Sequence, residues 1–235
     1  MLSDVMEDYL KAIYALQQND DDPIATSAIA EYLDVTPPTV TSMLEKLEER
    51  ELVEREKYKG VELTEEGETV ALEVLRHHRL LESYLTEHLD YSWSEVHEEA
   101  DTLEHHISEE FERRVAEALD DPEFDPHGDP IPNADLTPPK DDDTTPLSQY
   151  EAGDELEVAR VSDRDEQELQ YLADAGIAPG TTLEVVDVAP FGMVTVRFAD
   201  DADREQSLPE NVARSIRVRE SDSEDSNPGR EVGNV

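Results

Sequence analysis

A chain of 235 residues with 61 Asp and Glu against 19 Lys and Arg carries a formal net charge of −42. Such charge destabilises a compact state by self-repulsion, which molar salt would screen to within about 3 Å; with lysine the scarcer base, the composition predicts a halophilic, cytoplasmic protein with much of its acid as hydrated surface. Apolar residues at 37% in regular stripes exclude full disorder, the absence of cysteine excludes disulfides and thiol chemistry, and the lack of an apolar run of about 18 residues or a basic leader predicts neither membrane span nor secretion.

In chain order, Val5, Tyr9, Leu10, Ile13 and Leu16 form one helical stripe. After the turn NDDDP, the run IATSAIAEYLDV reads as a short helix. TPPTVTSMLEKLEERELV follows, with Thr36 at the N-cap, Pro37 in the first turn, and Val40, Met43, Leu44 and Leu47 on a buried face. EREKYKGVELTEEG reads as a hairpin whose turn includes Gly60. Three helices and a hairpin in this order predict a winged helix-turn-helix over residues 1–73. A long helix is expected from Glu65 to His88 and a second from Ser94 to Leu119. Residues 121–150 hold seven of the 14 prolines and read as irregular loop, ending in a linker over 141–150. LEVARV, TTLEVVDV and MVTVRF then alternate, predicting a small β-barrel over 151–219 with a helical insert near QELQYLADAG. Residues 220–235 are polar and are expected to be disordered.

Residues 1–75 contain 19 acids and six bases, so an overall basic footprint for DNA is missing. Two local features still point to double-stranded DNA. Thr36 to Leu44 contains no charge, leaving Thr36, Pro38, Thr39, Thr41 and Ser42 able to approach a groove. Arg55, Lys57 and Lys59 cluster on the hairpin, where a wing would grip phosphate. The same pattern also fits an amphipathic helix and hairpin used for protein contacts.

Three of the seven histidines lie in VHEEADTLEHHISEE. Helical spacing places His97, Asp101, Glu104 and His105 near one face, and His78 and Glu82 are four apart upstream. Imidazole and carboxylate donors without sulfur suit a six-coordinate Mn2+ or Fe2+. In so acidic a chain the spacing alone leaves a solvated helix face equally open.

The sequence resembles the diphtheria toxin repressor family of metal-dependent transcription regulators through MEDYLKAIYAL, TPPTVTSMLEKLEERELVEREKYKGVELTEEG, HHRLLESYL, VHEEADTLEHHISEEFERRV and HGDPIP. The resemblance implies a mainly α chain with a small β domain: the winged helix-turn-helix, a helical metal-binding and dimerisation domain over 74–140 with a Pro-rich end, and a C-terminal SH3-like β-barrel. It implies a primary metal site of Asp8, Asp101, Glu104 and His105, and an ancillary one of His78, Glu82 and His97. A short match around DAGI adds Asp165 and Glu168. Where the iron-responsive branch has sulfur ligands, this chain has Asp8 and Asp101, as the manganese-responsive branch has carboxylates. That branch also carries a Glu where this chain has Lys11, which argues against a closely bridged binuclear site. His106 repeats the second His of the motif without a ligand role, and His77 and His127 read as structural or surface residues.

The expected function is a metal-dependent repressor of metal uptake genes, acting on DNA as a homodimer, with the ion tying the DNA-binding segment to the later helices. Leu80, Leu81, Tyr84 and Leu85 are read as dimer surface or internal core. The alternative is a winged-helix regulator answering an organic ligand. An enzyme is not expected, since no phosphate loop or nucleophile elbow nominates a substrate pocket.

Overall fold

The computed structural model describes residues 2–18, 23–56, 59–138 and 143–221. Residues 19–22 of the expected turn, Lys57 of the wing and residues 222–235 of the tail lie outside these. The chain divides into two compact units, Met1–Asp141 and Asp142–Val235.

In the first unit, α1 (Asp4–Gln17), α2 (Thr26–Tyr32) and α3 (Pro37–Glu48) precede a two-stranded antiparallel wing, β1 (Val53–Glu56) and β2 (Gly60–Leu63). Leu10 and Ile13 from α1, Ile29 from α2, and Val40, Leu44 and Leu47 from α3 bury the faces that their spacing predicts. The wing is pinned to this core by Val61, which exchanges backbone hydrogen bonds with Ile24 at 2.9 and 3.0 Å. The long helix α4 (Glu65–Leu89) starts where Thr64 accepts from the Gly67 amide, with three acids in its first turn favourable to the helix dipole. Gly67 is required here: a Cβ would stand 1.9 Å from the Leu52 carbonyl oxygen, so only glycine lets α4 lie against the end of α3.

The helix expected from Ser94 to Leu119 is two helices, α5 (Val96–Leu103) and α6 (Glu109–Ala118). Between them His77 Nδ1 donates to the Glu104 carbonyl, and Ser108 caps α6 by accepting from the Phe111 amide. Each supplies a partner that continued helix would have supplied, to the Glu104 carbonyl and to the Phe111 amide, where the chain bends at Glu104–Ile107. Leu80, Leu81 and Leu85 of α4 are buried within the chain, packed on Val115 and Ile131 or on Val96 and Ala100, and Tyr84 is partly buried beside Leu80. The Pro-rich loop after α6 is ordered by α4: Arg76 donates to the Pro132 carbonyl and Arg79 to the Pro130 carbonyl, each at 2.6 Å.

In the second unit, β3 (Thr145–Pro146), β4 (Glu155–Val161), α7 (Glu166–Ala175), β5 (Thr182–Val188), β6 (Val194–Phe198), β7 (Asp201–Leu208), α8 (Glu210–Ser215) and β8 (Ile216–Glu220) form one sheet in the order β3-β8-β4-β5-β6-β7. The expected barrel is therefore an open sheet. β3 is two residues long, ends in a proline that cannot donate, and does not pair with β7. The expected linker over 141–150 contains β3 and the fully buried Leu147. Alternating inward residues, among them Leu156, Val158, Val185, Val196 and Val218, make the core with Leu169 and Leu172 of α7. Among the described residues no helix is long and apolar enough to cross a membrane.

Candidate metal centre

Three helices of the first unit aim titratable side chains at one interior region. Asp8 and Lys11 leave α1 one turn apart on the same face, with Glu7 beside them. His78 and Glu82 do the same on α4, as do His97 and Asp101 on α5. The bend after α5 presents Glu104 and His105. Glu82 and Glu104 are 0% and 1% exposed, and carboxylates so buried require partners.

Asp8, Glu104 and His105 form the first cluster, with one donor atom of each within 4.8 Å of the others. His105 Nε2 lies 3.0 Å from Asp8 Oδ1 and 3.3 Å from Glu104 Oε1. Its Nδ1 lies 2.7 Å from Glu7 Oε2, so Glu7 orients the ring and leaves Nε2 aimed at the cluster. Burial opposes the charge on His105, but Glu7, Glu104 and Asp8 together raise its pKa above the ordinary value. Burial raises the pKa of Asp8, helped by Glu104, and neither His105 nor Lys11 restores it. This carboxylate lacks enough positive charge nearby.

Asp101, also expected in the primary site, lies outside the Asp8–Glu104–His105 set and groups with His78 and Glu104. Its Oδ1 lies 3.3 Å from His78 Nδ1, and Glu104 Oε2 lies 2.6 Å from that nitrogen. Despite burial, His78 and Lys11 hold the Asp101 pKa below the usual carboxylate range.

His78, Glu82 and His97 form the second cluster. His78 Nε2 is 3.0 Å from Glu82 Oε1 and 3.0 Å from His97 Nδ1, and the third side, Glu82 Oε1 to His97 Nδ1, is 3.1 Å. Adjacent ligands about 2.1 Å from an octahedral cation stand about 3.0 Å apart, so the triangle matches one face of such a shell. Burial opposes both charges of the His78–Glu82 pair, but their attraction raises the imidazole pKa and lowers the carboxyl pKa.

A third cluster, not anticipated from the sequence, joins the second through the other oxygen of Glu82. Glu82 Oε2, Asp125 Oδ2 and His127 Nδ1 converge, all three residues are buried, and none of these three atoms has a hydrogen-bond partner. His127 Nε2 lies 2.9 Å from the Trp93 carbonyl, which can only accept, so Nε2 keeps a proton in either charge state and Nδ1, the nitrogen that titrates, faces Glu82 Oε2 at 3.6 Å. Asp125 Oδ1 accepts from the His127 and Asp129 amides and fixes the loop. Burial and the neighbouring Glu82 and Asp129 push the Asp125 pKa well up against the pull of Arg79 and His127. Burial would lower the His127 pKa, but Glu82, Asp125 and the Trp93 carbonyl raise it to about 9. The sequence signal was present in DPHGDP: a histidine flanked two residues on either side by acids, in a turn tight enough to bring them together.

Two uncompensated carboxylates, three orphaned buried atoms and a donor triangle of cation-ligand size are what oxygen- and nitrogen-binding metal ions would satisfy, so the residues present fit divalent cations. Asp165 and Glu168 belong to the second unit. Asp165 caps α7 by accepting from the Gln167 and Glu168 amides, and Glu168 accepts from Asn211 at 2.7 Å. His77 and the exposed His106 lie at the bend outside these donor sets.

Thr36, Pro38, Thr39 and Ser42 at the start of α3 are exposed. The Thr36 and Thr39 hydroxyls bond each other at 2.8 Å, and Thr41 donates to the Pro37 carbonyl. On the wing, Arg55 pairs with Glu48 at 3.4 Å and Lys59 with Glu56 at 2.5 Å.

Comparison with known proteins bears on both regions. The family described as "Iron dependent repressor, N-terminal DNA binding domain" matches residues 1–61, and "Iron dependent repressor, metal binding and dimerisation domain" matches 64–133. "FeoA domain" matches 145–220. The chain is 32% identical over 228 residues to the iron-dependent repressor IdeR of Mycobacterium tuberculosis, covering 92% of this chain and 97% of the relative. It is 36% identical over 197 residues to the diphtheria toxin repressor of Corynebacterium efficiens, covering 79% and 84%. A solved manganese-dependent transcriptional repressor in complex with manganese superposes with a TM-score of 0.84 at 38% identity, over 92% of this chain and 100% of the other. ScaR with bound Zn2+ gives 0.78 at 33%, over 92% and 99%.

Proposed function

The chain belongs to the iron-dependent repressor family of metal-dependent transcriptional repressors, and we propose that its own trigger is a divalent ion held by Asp8 of the DNA-binding segment together with Glu104 and His105 of the α5–α6 bend. The observation that carries this reading is the 3.0 Å approach of His105 Nε2 to Asp8 Oδ1, beside a carboxylate left short of positive charge. When bound, the ion would supply the charge that lets these acids stay together. Asp8 moves with α1, and Glu104 moves with the bend held by His77 and His78. Joining them favours one placement of the DNA-binding fold, in proportion to the difference in ion affinity between placements.

The second and third clusters, His78–Glu82–His97 and Glu82–Asp125–His127, are the proposed ancillary sites, with Glu82 facing both. The donors are oxygen and imidazole with no sulfur, which supports Mn2+ at least as strongly as Fe2+. Asp165 and Glu168 keep their proposed role as ligands lent by the second unit, tested by losing an ancillary ion in Glu168→Ala. On the DNA side, we assign base contacts to Thr36, Pro38, Thr39, Thr41 and Ser42 and phosphate contacts to Arg55, Lys57 and Lys59, in a homodimer on a two-fold operator upstream of metal uptake genes.

The test is DNA binding by the full chain with Mn2+, with Fe2+ under anaerobic conditions, and with chelator. Binding should require metal and vanish in Glu104→Ala while the fold is kept. Binding that ignores chelator contradicts the reading and favours a regulator answering an organic ligand.

A further inference from the structure

Lys11 Nζ lies 2.6 Å from Glu104 Oε1 and 3.0 Å from Asp101 Oδ1. Its side chain is 21% exposed, and the Glu104 side chain that it meets is 0% exposed. It leaves α1 one turn after Asp8, so the first cluster contains both a carboxylate and an ammonium from the same helix face. The other oxygen of Glu104 is engaged by His78, and His105 Nε2 is 3.3 Å from Oε1, the atom that Lys11 also contacts. The ammonium thus stands among the donors rather than at their rim.

We propose that Lys11 is a resident cation of the primary centre, occupying by covalent attachment the place of a second divalent ion. The proposal rests on the metal reading above. The donor geometry supports it: an ammonium offers three hydrogens and accepts nothing, so the Asp101 oxygen that it holds is withdrawn from a second ion. Lys11 also spans from α1 to α5 and the bend that follows it, the same two segments that Asp8 and His105 join. The flexible four-carbon stem of lysine lets the ammonium stay on Asp101 while an ion takes Asp8, Glu104 and His105.

The experiment counts Mn2+ per protomer by equilibrium dialysis and elemental analysis in molar KCl, for the full wild-type chain, Lys11→Glu and Lys11→Met, with circular dichroism to verify each fold. Lys11→Glu should bind one more Mn2+ per protomer than wild type. Lys11→Met should bind the wild-type number, with affinity at the Asp8–Glu104–His105 site raised about tenfold because a neighbouring positive charge is gone. A folded Lys11→Glu protein with the wild-type count overturns the proposal. If Lys11→Glu does not fold, the Lys11→Met arm decides: unchanged or weakened Mn2+ affinity overturns it. A wild-type chain that binds no Mn2+ and no Fe2+ contradicts the metal reading itself, and this proposal with it. Normal wild-type binding with unresponsive Lys11 variants overturns this proposal alone.

Discussion

His78 Nδ1 lies 2.6 Å from Glu104 Oε2, so one imidazole of α4 touches a carboxylate of the primary cluster while its other nitrogen lies 3.0 Å from Glu82 in the ancillary one. The two clusters therefore share a wall. A ring that donates through Nδ1 to Glu104 offers its Nε2 lone pair to an ancillary ion, and the carboxylate that it orients belongs to the primary set.

Orientation of the ligands by their neighbours gives the first prediction. Glu7 is not itself assigned as a ligand, but its Oε2 lies 2.7 Å from His105 Nδ1. Glu7→Gln should weaken metal affinity roughly 10- to 100-fold, the usual effect of losing an outer-shell partner, without changing the number of ions bound. Calorimetric titration with Mn2+ reads both quantities. Wild-type affinity would remove Glu7 from the account.

The orphaned atoms of the third cluster give opposite signs for stability and for binding. In Asp125→Asn a neutral amide replaces a carboxylate whose charge burial, Glu82 and Asp129 disfavour, at the cost of the 3.6 Å approach of Arg79 Nε to Oδ2, while its oxygen still accepts from the His127 and Asp129 amides. The metal-free protein should become more stable by about 1–3 kcal/mol, the cost of a buried unsatisfied group. The same change should weaken the ion held with Glu82 and His127. Chemical denaturation in EDTA measures the first effect, and a loss of stability there would contradict the assignment of Asp125 Oδ2 as an unsatisfied ligand atom.

The pH dependence follows from the same cluster. His127 is faced by Glu82, Asp125 and the Trp93 carbonyl, with Arg79 and Asp129 behind Asp125, and burial is outweighed so that its pKa rises to about 9. A histidine whose pKa is raised on folding contributes stability that is complete below about 6.5 and lost as pH climbs through the folded value. The raised pKa of Asp125 acts in the same direction. The metal-free chain should therefore lose stability on the order of a few kcal/mol between about pH 6.5 and 9. Metal affinity should rise over the same window, because ions displace those protons. Melting curves in EDTA and in Mn2+ across the window should diverge; parallel curves would remove proton competition from the centre.

Charge on the DNA-binding fold predicts an unusual salt response. Residues 1–75 carry 19 acids and six bases, a net −13. On the wing, Arg55 and Lys59 already hold Glu48 and Glu56, so a phosphate must displace carboxylates to reach them. Ordinary DNA binders lose affinity with a slope near −0.9 per phosphate neutralised. Here KCl should screen the long-range repulsion while weakening the wing contacts, giving a shallow or rising dependence. Lys57→Ala with Lys59→Ala should weaken binding to all sequences alike, and Thr39→Ala should shift operator preference. Isotherms from low to molar KCl on folded protein decide the matter, with a steep ordinary loss as the contrary result.

The helix-turn-helix and wing were legible because their apolar stripes bury against one another within 75 residues: Leu10, Ile13, Val40, Leu44 and Leu47 face inward as their spacing requires. The bend at Glu104–Ile107 was not. The helical pattern runs on through His105 and Ile107, while in the fold the Glu104 carbonyl is bound by His77, 27 residues upstream, and Ser108 starts a new helix. His127 escaped for a similar reason. Its importance comes from Glu82 and Trp93, which the loop reaches only in three dimensions. Closure of the β-sheet is likewise non-local: alternation identified the strands, but only pairing shows that β3 and β7 remain edges. Lys11 was legible as a departure from the manganese-responsive pattern that the sequence otherwise resembles, yet its placement between Asp101 and Glu104 needed coordinates.

The most direct test of the central claim uses wild type and Glu104→Ala side by side. A pool of randomised duplex DNA is selected on wild-type protein in molar KCl with Mn2+. The recovered duplex is then titrated with each protein in Mn2+, in anaerobic Fe2+ and in EDTA, reading fluorescence anisotropy. The account predicts that wild type binds at least tenfold more tightly with metal than in EDTA, with Mn2+ at least as effective as Fe2+, and that Glu104→Ala shows no metal response while keeping its circular dichroism spectrum. Equal wild-type affinity with metal and with EDTA would contradict it.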